Sequence, residues 1–225
     1  MTTRSHSGFV RHTLGLGLAV VLFSFSPQVG VAQVCIGNPT LPGQFSVEGG
    51  VSFSDGTTGY GAGVTANLDG PFSIGGSVGI IDVDNVDTNI KTVAVDGAYA
   101  LNTEGFGACP VAGVQYSSWS DTFEGFDMDL SSLSFPLGMG VGVELGNDGP
   151  ATLIPSASAG LFYQRLRFSI SDGFERFTET DTETEFFFSG GATLVLSQFF
   201  VRASVLATTI DDSDAVFGIL LGIRF

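Results

Sequence analysis

Apolar and polar side chains alternate along most of this chain with a period of two residues. Such a period places successive side chains on opposite faces of a β-strand. Ten segments share the alternation, and between them lie turn residues or acidic stretches. These segments are 45–53, 60–68, 72–80, 93–101, 110–116, 133–145, 153–163, 186–196, 199–207 and 215–225.

Alternating segments of about ten residues, separated by turns, are typical of a transmembrane β-barrel. Lipid offers the backbone no hydrogen-bond partners, so only helices and closed barrels can span a membrane. After residue 32, no apolar run reaches the roughly 18 residues that a membrane helix needs. We therefore predict an all-β fold, a transmembrane antiparallel up-and-down β-barrel of about ten strands, with eight strands as the alternative. A soluble β-sandwich or solenoid is the competing explanation.

The first 32 residues have the pattern of an export signal. Arg4 and Arg11 precede the apolar run LGLGLAVVLFSF, and Gly30-Val31-Ala32 supplies small residues at a cleavage site. We predict a signal peptide at 1–32 and an outer-membrane β-barrel domain at 33–225.

Two other roles for the N-terminal segment are weaker. As an uncleaved anchor, its apolar run is too short to span a bilayer. As a lipoprotein signal, it has Val34 before Cys35, where a lipid-attachment site would have Gly or Ala.

The connections between the ten segments fall alternately into two classes. One class is short, and the other contains the long acidic stretches. Outer-membrane barrels have short periplasmic turns and longer outside loops, which assigns a side to each class. The short connections are 69–71, 102–105, 146–150 and 197–198; the others are 82–89, 118–129, 171–185 and 210–214, with a short turn at 55–58.

Aromatic residues fall near both ends of the predicted strands, as expected of the aromatic girdles at the two membrane interfaces. The periplasmic ends carry Phe45, Phe72, Tyr99, Phe199 and Phe225, and the outer ends carry Phe53, Tyr60, Tyr116, Tyr163, Phe186 and Phe217.

The last strand, with its terminal aromatic residue, resembles the signal by which outer-membrane barrels are recognised for assembly. The residues that match are Phe217, Ile219, Leu221, Ile223 and Phe225. The mature chain as a whole resembles small outer-membrane barrel domains of the opacity-protein and outer-membrane-protein-A-like type, although these commonly have eight strands. The resemblance implies export through the periplasm, the barrel assembly machinery as a partner, and outer-membrane lipid and lipopolysaccharide as surroundings.

Composition narrows the range of partners. The chain has 32 Gly and 21 Phe residues, only 14% charged residues, and a formal net charge of −15. Removal of Arg4 and Arg11 with the signal makes the mature chain more acidic still. Nucleic acid is therefore not an expected partner, because phosphate binding needs basic patches. The sequence leaves the oligomeric state open.

The two cysteines, Cys35 and Cys109, both fall near the periplasmic ends of predicted strands. Because that compartment is oxidising, we predict a Cys35–Cys109 disulfide that ties the N-terminal segment to the barrel floor. The alternative is two unpaired thiols. A zinc site is not expected, because both histidines, His6 and His12, lie in the signal segment.

Catalysis is not expected either. The mature chain has no His, one Lys and no G-x-S-x-G motif, so a hydroxyl nucleophile would have no evident activator. The sequence predicts no catalytic residue.

Five charged residues fall on the predicted inward face of the strands. Paired with one another they would fill the interior, because an unpaired charge in a confined space is costly. In contact with water they would instead line a pore. This predicted lumen charge cluster consists of Glu48, Asp96, Glu144, Arg202 and Arg224.

Most acidic residues fall in the predicted outside loops. They indicate either well-solvated loops or a cation-attracting mouth, with Ca²⁺ as the one candidate ion, since it prefers carboxylate oxygens. The candidate cation-binding residues are Asp82, Asp84, Asp87, Asp211, Asp212 and Asp214. No cofactor is expected otherwise.

Two functions follow from these patterns. The first is a structural or surface-interaction barrel with a largely occluded lumen, which exposes loops 118–129 and 171–185. The alternative is a small cation-preferring diffusion pore.

Overall fold

The computed structural model describes residues 45–68, 71–84, 89–103, 106–123, 125–146, 151–209 and 215–225. The predicted signal segment therefore lies outside the described residues. The described chain forms ten antiparallel strands. They are β1 (Phe45–Ser54), β2 (Thr57–Asn67), β3 (Phe72–Val83), β4 (Ile90–Tyr99, continued after Ala100 by Leu101–Thr103), β5 (Phe106–Phe123), β6 (Phe126–Gly142), β7 (Ala151–Ser171), β8 (Arg176–Leu196), β9 (Phe199–Thr208) and β10 (Val216–Arg224).

The strands follow one another around a closed barrel. Each strand pairs with the next along the chain, and β10 returns to pair with β1 from Ser46↔Arg224 to Phe53↔Phe217. Beyond this ladder, the amide of Phe225 donates to the carbonyl of Phe45 at 2.8 Å. The rings of these two residues lie 6.2 Å apart.

All ten predicted segments are strands, so the predicted fold class is confirmed and eight strands is wrong. Ala100 interrupts β4, and its amide donates to the carbonyl of Pro71 at 2.7 Å. Both parts of β4 pair with β5, so they are one strand of the barrel.

The alternation separates an apolar exterior from a mixed interior. Side chains of the outward file are exposed and mostly apolar, for example Val78, Leu137 and Leu221. The inward file contains buried polar residues such as Thr193 and Gln164 as well as buried apolar ones. Glycines also belong to the inward file: a Cβ on Gly63 of β2 would lie 3.2 Å from Glu48 Oε1.

Two segments that were predicted as loops are largely strand. In place of 118–129 and 171–185, β5 and β6 are joined at residues 124–125, and β7 and β8 at 172–175. These four strands have 17 to 21 residues, whereas the other six have 9 to 13, with the two parts of β4 counted together. Acidic residues are uncommon in strands, which is why the loop prediction failed; here cross-strand pairing continues to both tips.

The long strands form what we call the projecting sheet, residues 119–123, 126–134, 164–171 and 176–185. Pairing between β4 and β5 ends at Lys91↔Ser118, and pairing between β8 and β9 ends at Phe187↔Thr208. The sheet therefore extends past its neighbours. We call this end of the barrel the top, and the end that holds Phe45 and Phe225 the base.

Each tip of the projecting sheet has a glycine with a left-handed backbone. Gly125 has φ +86° and Gly173 has φ +85°. Residues with a Cβ adopt this conformation at a cost, so glycine favours a tight turn over a longer loop at both tips.

Inside the barrel, glycines make room for an aromatic ring. A Cβ on Gly138 would lie 2.9 Å from Cζ of Phe187, and one on Gly160 would lie 2.6 Å from Cε1 of the same ring. Phe187 has no exposed surface. Its ring occupies the space that side chains at these two positions would need.

We expect Gly160→Ala to destabilise the barrel by about 1–3 kcal/mol, the usual range for overpacking a filled interior. The added methyl would meet the backbone of Leu137 and Gly138 as well as the Phe187 ring, so the neighbours cannot all move aside. Urea unfolding in lipid vesicles measures the loss.

The matched control is Gly190→Ala, because a Cβ there meets nothing within 4 Å. The free energy of unfolding of this variant is expected to stay within about 0.5 kcal/mol of that of the unmodified protein. Equal destabilisation by both variants would contradict the packing explanation.

Candidate functional site

The interior holds a buried ion pair between β1 and β9. Arg202 Nη1 lies 3.7 Å from Glu48 Oε2, and both side chains are almost fully buried. Arg202 Nε also donates to Thr193 Oγ1 on β8 at 3.0 Å. Of the five predicted lumen charges, these two are brought together.

The ion pair crosses β10 where that strand has no side chain. Both Glu48 and Phe200 are opposite Gly222 in the strand register, and a Cβ at this glycine would collide with the Phe200 ring. The guanidinium carbon of Arg202 lies 5.6 Å from the centre of that ring. The arginine is thus held by a carboxylate, a hydroxyl and an aromatic face, an arrangement that supports a buried cation.

Asp96 is buried on the opposite wall, in β4. It is flanked by Gly75 on β3 and Gly113 on β5, and a Cβ on Gly75 would lie 2.8 Å from its Oδ2. That oxygen has no hydrogen-bond partner among the described residues. Asp96 is therefore inward and buried as predicted, but the structure records no ion pair for it within the described part of the chain.

The other two predicted members do not join a central cluster. Glu144 is exposed and lies past the end of β6 at Gly142, between Val143, whose amide donates to the Pro155 carbonyl, and the isolated bridge at Leu145. Arg224 lies at the base, where its Nη2 donates to the Ser197 carbonyl at 3.3 Å. The prediction of a five-residue cluster is corrected to one ion pair, one separate buried carboxyl group and two charges at the base.

A ladder of neutral polar side chains crosses the interior on β5, β6 and β7, and sequence reasoning missed it. Gln164 Nε2 donates to Ser132 Oγ at 2.7 Å, and the Ser132 and Ser134 hydroxyls lie 3.3 Å apart. On β5, Gln115 Nε2 lies 3.4 Å from Ser117 Oγ. The signal for this ladder is the recurrence of Gln and Ser at every second position of these strands.

Apolar side chains lie above and below these polar groups. At the top, an apolar cluster joins β3 to β7; at the base, a second one joins β7 to β10. The top cluster contains Ile81, Ile90, Trp119, Leu130 and Leu166, and the base cluster contains Ile154, Val195, Phe200 and Leu220. Between them, the rings of Phe162 and Phe187 lie 4.8 Å apart.

Cys109 is part of a disulfide and its side chain points into the barrel. It is 1% exposed and packs with Ala98 and Val111. Cys35, the only other cysteine in the sequence, lies outside the described residues. The predicted Cys35–Cys109 pairing therefore stays a prediction.

The two faces of the projecting sheet differ in charge: the inward face of β8 is acidic, whereas the outward face carries both signs, with Asp127 and Asp129 of β6 beside the arginines of β7 and β8. On β8, four carboxylates alternate with four threonines. The carboxylates share the inward face with Phe187, and the threonines share the outward face with Phe186; they are Glu179, Asp181, Glu183 and Glu185, and Thr178, Thr180, Thr182 and Thr184. Arg165 and Arg167 lie on the outward face of β7, opposite Thr182 and Thr180.

At the tip between β7 and β8, one carboxylate organises the turn. Asp172 Oδ1 accepts hydrogen bonds from the amides of Glu175 at 2.7 Å and Phe174 at 2.9 Å. These two bonds, that of Glu175 first, lower the pKa of Asp172. Lower on the sheet, partial burial raises the pKa of Glu183, and the neighbouring Asp181 carboxylate adds to the effect.

The predicted cation-binding acids are only partly described. Asp82 and Asp84 lie at the top of β3, and the other four fall outside the described residues. In the part of the chain that is described, no three His, Cys, Asp or Glu side chains form a group that could hold a metal ion.

Comparison with known proteins identifies the fold. No family model matches the chain, and no curated protein matches it. The translocator domain of the autotransporter NalP from Neisseria meningitidis is 10% identical, with 96% of each chain covered and a TM-score of 0.52. This chain folds as an outer-membrane β-barrel.

Two other similar structures are the Ail attachment invasion locus protein of Yersinia pestis and the N-terminal barrel domain of OprF from Pseudomonas aeruginosa. Ail is 16% identical, with coverage of 82% and 100% and a TM-score of 0.40. The OprF domain is 13% identical, with coverage of 82% and 98% and a TM-score of 0.35.

In an outer-membrane β-barrel the apolar outward file faces lipid, which explains why so many large apolar side chains are exposed. Aromatic residues of the two predicted belts pair across strands: Phe72 and Tyr99 lie 4.9 Å apart near the base, and Tyr163 near the top lies 6.2 Å from Phe135. No helix among the described residues is long and apolar enough to cross a membrane.

We expect Glu48→Gln to destabilise the outer-membrane β-barrel by about 3–5 kcal/mol, because it leaves Arg202 buried without its counter-charge. Urea unfolding in vesicles, followed through the fluorescence of Trp119, measures the change.

The control is Asp129→Asn, which removes the partner of Arg176 in an ion pair at 2.9 Å whose side chains are both more than half exposed. Its expected cost is below about 1 kcal/mol, since water screens exposed pairs. If the two substitutions cost the same, the buried pair is not a stabilising element of the interior.

We expect the turn between β7 and β8 to lose stability at acidic pH. A lowered pKa means that the ionised Asp172 stabilises the turn above its ordinary pKa of about 3.9, and that this stabilisation is lost as pH falls through the lower, folded value. Hydrogen exchange at Phe174 and Glu175, corrected for intrinsic rates, should therefore lose protection only below about pH 4. Asp172→Ala should remove the protection at every pH, whereas Glu179→Gln should leave the profile unchanged. A profile that Asp172→Ala does not alter would rule out this role for the carboxylate.

Proposed function

We propose that this protein is an integral outer-membrane protein that presents the projecting sheet at the cell surface, in a structural or surface-interaction role. The observation that carries the proposal is the extension of β5 to β8 beyond the ends of β4 and β9. Four strands of 17 to 21 residues are longer than the roughly 9–11 residues that a tilted strand needs to span a bilayer. The residues of β5 to β8 beyond this length are not needed to cross the membrane. A role outside the membrane explains why they form an ordered sheet.

The charge distribution supports the same orientation. Arg165 and Arg167 face outward, two and four residues beyond Tyr163. If Tyr163 belongs to the outer aromatic belt, which lies at the level of the lipid headgroups, the two arginines are at or just beyond that level. Lipid A phosphates are the anionic groups that two adjacent guanidinium groups there would bind. The inward face of β8, which carries the carboxylates, is then the part of the projecting sheet that is available to contact other molecules at the cell surface.

A largely occluded lumen is the second part of the proposal. Buried aromatic and aliphatic side chains at the top, the middle and the base support it. The Glu48–Arg202 pair adds a polar link between walls. An interior whose side chains are buried against one another leaves little room for a continuous water column.

A small cation-preferring pore is the alternative function. The buried carboxyl group of Asp96, for which no partner is recorded among the described residues, favours it, as does the strongly acidic composition. A catalytic role is not proposed, because the chain has no histidine beyond His12 and no recognisable nucleophile–base pair.

Conductance of the refolded mature protein in a planar bilayer distinguishes the two functions. We expect no steady channel steps, because the interior is filled. Cation-selective steps whose size changes in Asp96→Asn would overturn the occluded barrel in favour of the pore.

A control must show that a silent bilayer contains inserted protein. A short epitope inserted after Gly173, an exposed turn residue where an added Cβ would meet nothing within 4 Å, should be accessible to antibody on intact cells and on one side of the bilayer. An epitope that is accessible only after the cells are opened would contradict surface presentation.

A further inference from the structure

β8 has an open edge where it extends past β9. Pairing between these two strands ends at Phe187↔Thr208. From residue 176 to residue 185, β8 pairs with β7 on one side and with no strand among the described residues on the other. An open sheet edge presents a row of backbone amides and carbonyls with which another strand can pair.

Hydrogen bonds on both sides of β8 show which of its residues face this edge. The amide of Thr209 donates to the Phe186 carbonyl at 3.0 Å, so the backbone groups of Phe186 point away from β7. Leu145 and Leu153 exchange two hydrogen bonds, and the unbroken registers from β6 to β8 lead to the same assignment. Because ladder bonds alternate between the two sides of a strand, the open edge consists of the amides and carbonyls of Thr178, Thr180, Thr182 and Thr184.

A neighbouring carboxylate satisfies one of these amides. Thr182 N donates to Asp181 Oδ1 at 2.7 Å, a bond within β8 and not to another strand. The projecting sheet repeats this arrangement on its other side, at β5, where Thr122 N donates to Asp121 Oδ1 at 2.7 Å. Beyond the neighbouring strands, β5 has only residues 119–123, so β8 offers the longer edge.

The side chains along the edge of β8 favour a basic partner. Glu179, Asp181, Glu183 and Glu185 alternate with the threonines on one face. In antiparallel pairing they would occupy the non-hydrogen-bonded positions, where Cα atoms are about 4.5 Å apart and side chains are closest. Partial burial raises the pKa of Glu185 to about 7, and the Glu183 carboxylate adds to the effect. A cation opposite these groups would offset their repulsion.

A second copy of this chain does not fit the edge. Two β8 edges in antiparallel pairing would place carboxylates opposite carboxylates, and like charges in that position destabilise a strand pair. The β5 edge of a second copy is short and carries Asp121. The charge of the edge therefore requires a different protein as its occupant.

We propose that the open edge of β8 binds an extended segment of another protein by strand addition, and that this segment pairs antiparallel to β8 and carries Lys or Arg at every second position. The edge amides and carbonyls hold the backbone of the segment, and the carboxylates select its side chains. The inference rests on the proposed surface-interaction role and names the kind of partner.

A basic heptapeptide, acetylated and amidated Lys-Thr-Lys-Thr-Lys-Thr-Lys, tests the proposal on the mature protein in lipid nanodiscs. Binding should slow hydrogen exchange at Thr178 and Thr180 by at least about tenfold, because their amides gain ladder partners. The amides of Glu179 and Glu183 face β7 and should change little. A peptide that does not bind, or that binds without protecting the threonine amides, would overturn the proposal.

The matched control peptide has the same sequence with methyl groups on its three threonine nitrogens. Methylation keeps the charge and removes the donors that would face β8. This peptide should bind at least about tenfold more weakly, because three hydrogen bonds are lost. Equal affinity of the two peptides would mean unspecific attraction to an acidic protein and would rule out strand addition.

A pair of protein variants locates the binding edge. Thr180→Pro removes an edge amide but no bond to β7, and proline is tolerated on an edge strand. It should weaken binding of the unmethylated peptide at least about fivefold, since its nitrogen has no proton to donate. Thr180→Val keeps the amide and should bind as the unmodified protein does. Equal binding by both variants would contradict the assigned edge.

The test remains decisive if Thr180→Pro does not fold, because the two peptides can be compared on the unmodified protein. Nanodiscs leave both faces of the membrane accessible, so peptide binding does not depend on which side of the membrane the projecting sheet occupies in cells. The epitope after Gly173 tests that orientation separately, and a failure of strand addition is thus distinguishable from a failure of surface presentation.

Discussion

The obligation to pair every backbone amide and carbonyl within lipid is the constraint on which the rest of this structure depends. An open sheet would leave two unpaired edges in the membrane, so the ladder has to return to its first strand. The bonds between Phe45 and Phe225 and the register from Ser46↔Arg224 to Phe53↔Phe217 complete that ring. Once it is closed, every side chain of the membrane-spanning part faces either lipid or a confined interior.

Confinement explains the arrangement of the interior. Glycines leave space beside the barrel wall, and aromatic rings fill it. The Phe187 ring lies over Gly138 and Gly160, and the Phe200 ring lies over Gly222. A charged side chain is buried where a side chain of opposite charge lies close to it, as Glu48 lies close to Arg202 across the position of Gly222. Asp96 sits between two glycines and is the place where the interior departs from this pairing among the described residues.

Outside the membrane this constraint does not apply, because water can form hydrogen bonds with the backbone of a loop as well as a neighbouring strand can. The hairpins of the projecting sheet nevertheless stay paired to their tips. Left-handed glycines at 125 and 173 favour short turns, and Asp172 satisfies the amides of one of them. Threonine on the outward file of β8 supplies β-propensity between the acids. The result is a sheet in which β8 carries carboxylates on its inward face, and guanidinium groups and carboxylates lie together on the outward face.

The sequence by itself determined the strands and which side chains face outward, because period-two alternation is a local property that lipid and the barrel wall impose on each strand separately. It favoured ten strands but left eight open, and the closed ladder decided for ten. It also placed Glu48, Asp96 and Arg202 inside. It did not determine which inward charges meet, since Glu48 and Arg202 are adjacent only after β10 brings β1 beside β9. Nor did it distinguish a paired acidic hairpin from an acidic loop, because that depends on the partner strand. Strand register and barrel closure are tertiary properties. They decided which inward charges meet and whether the acidic segments form loops or paired strands.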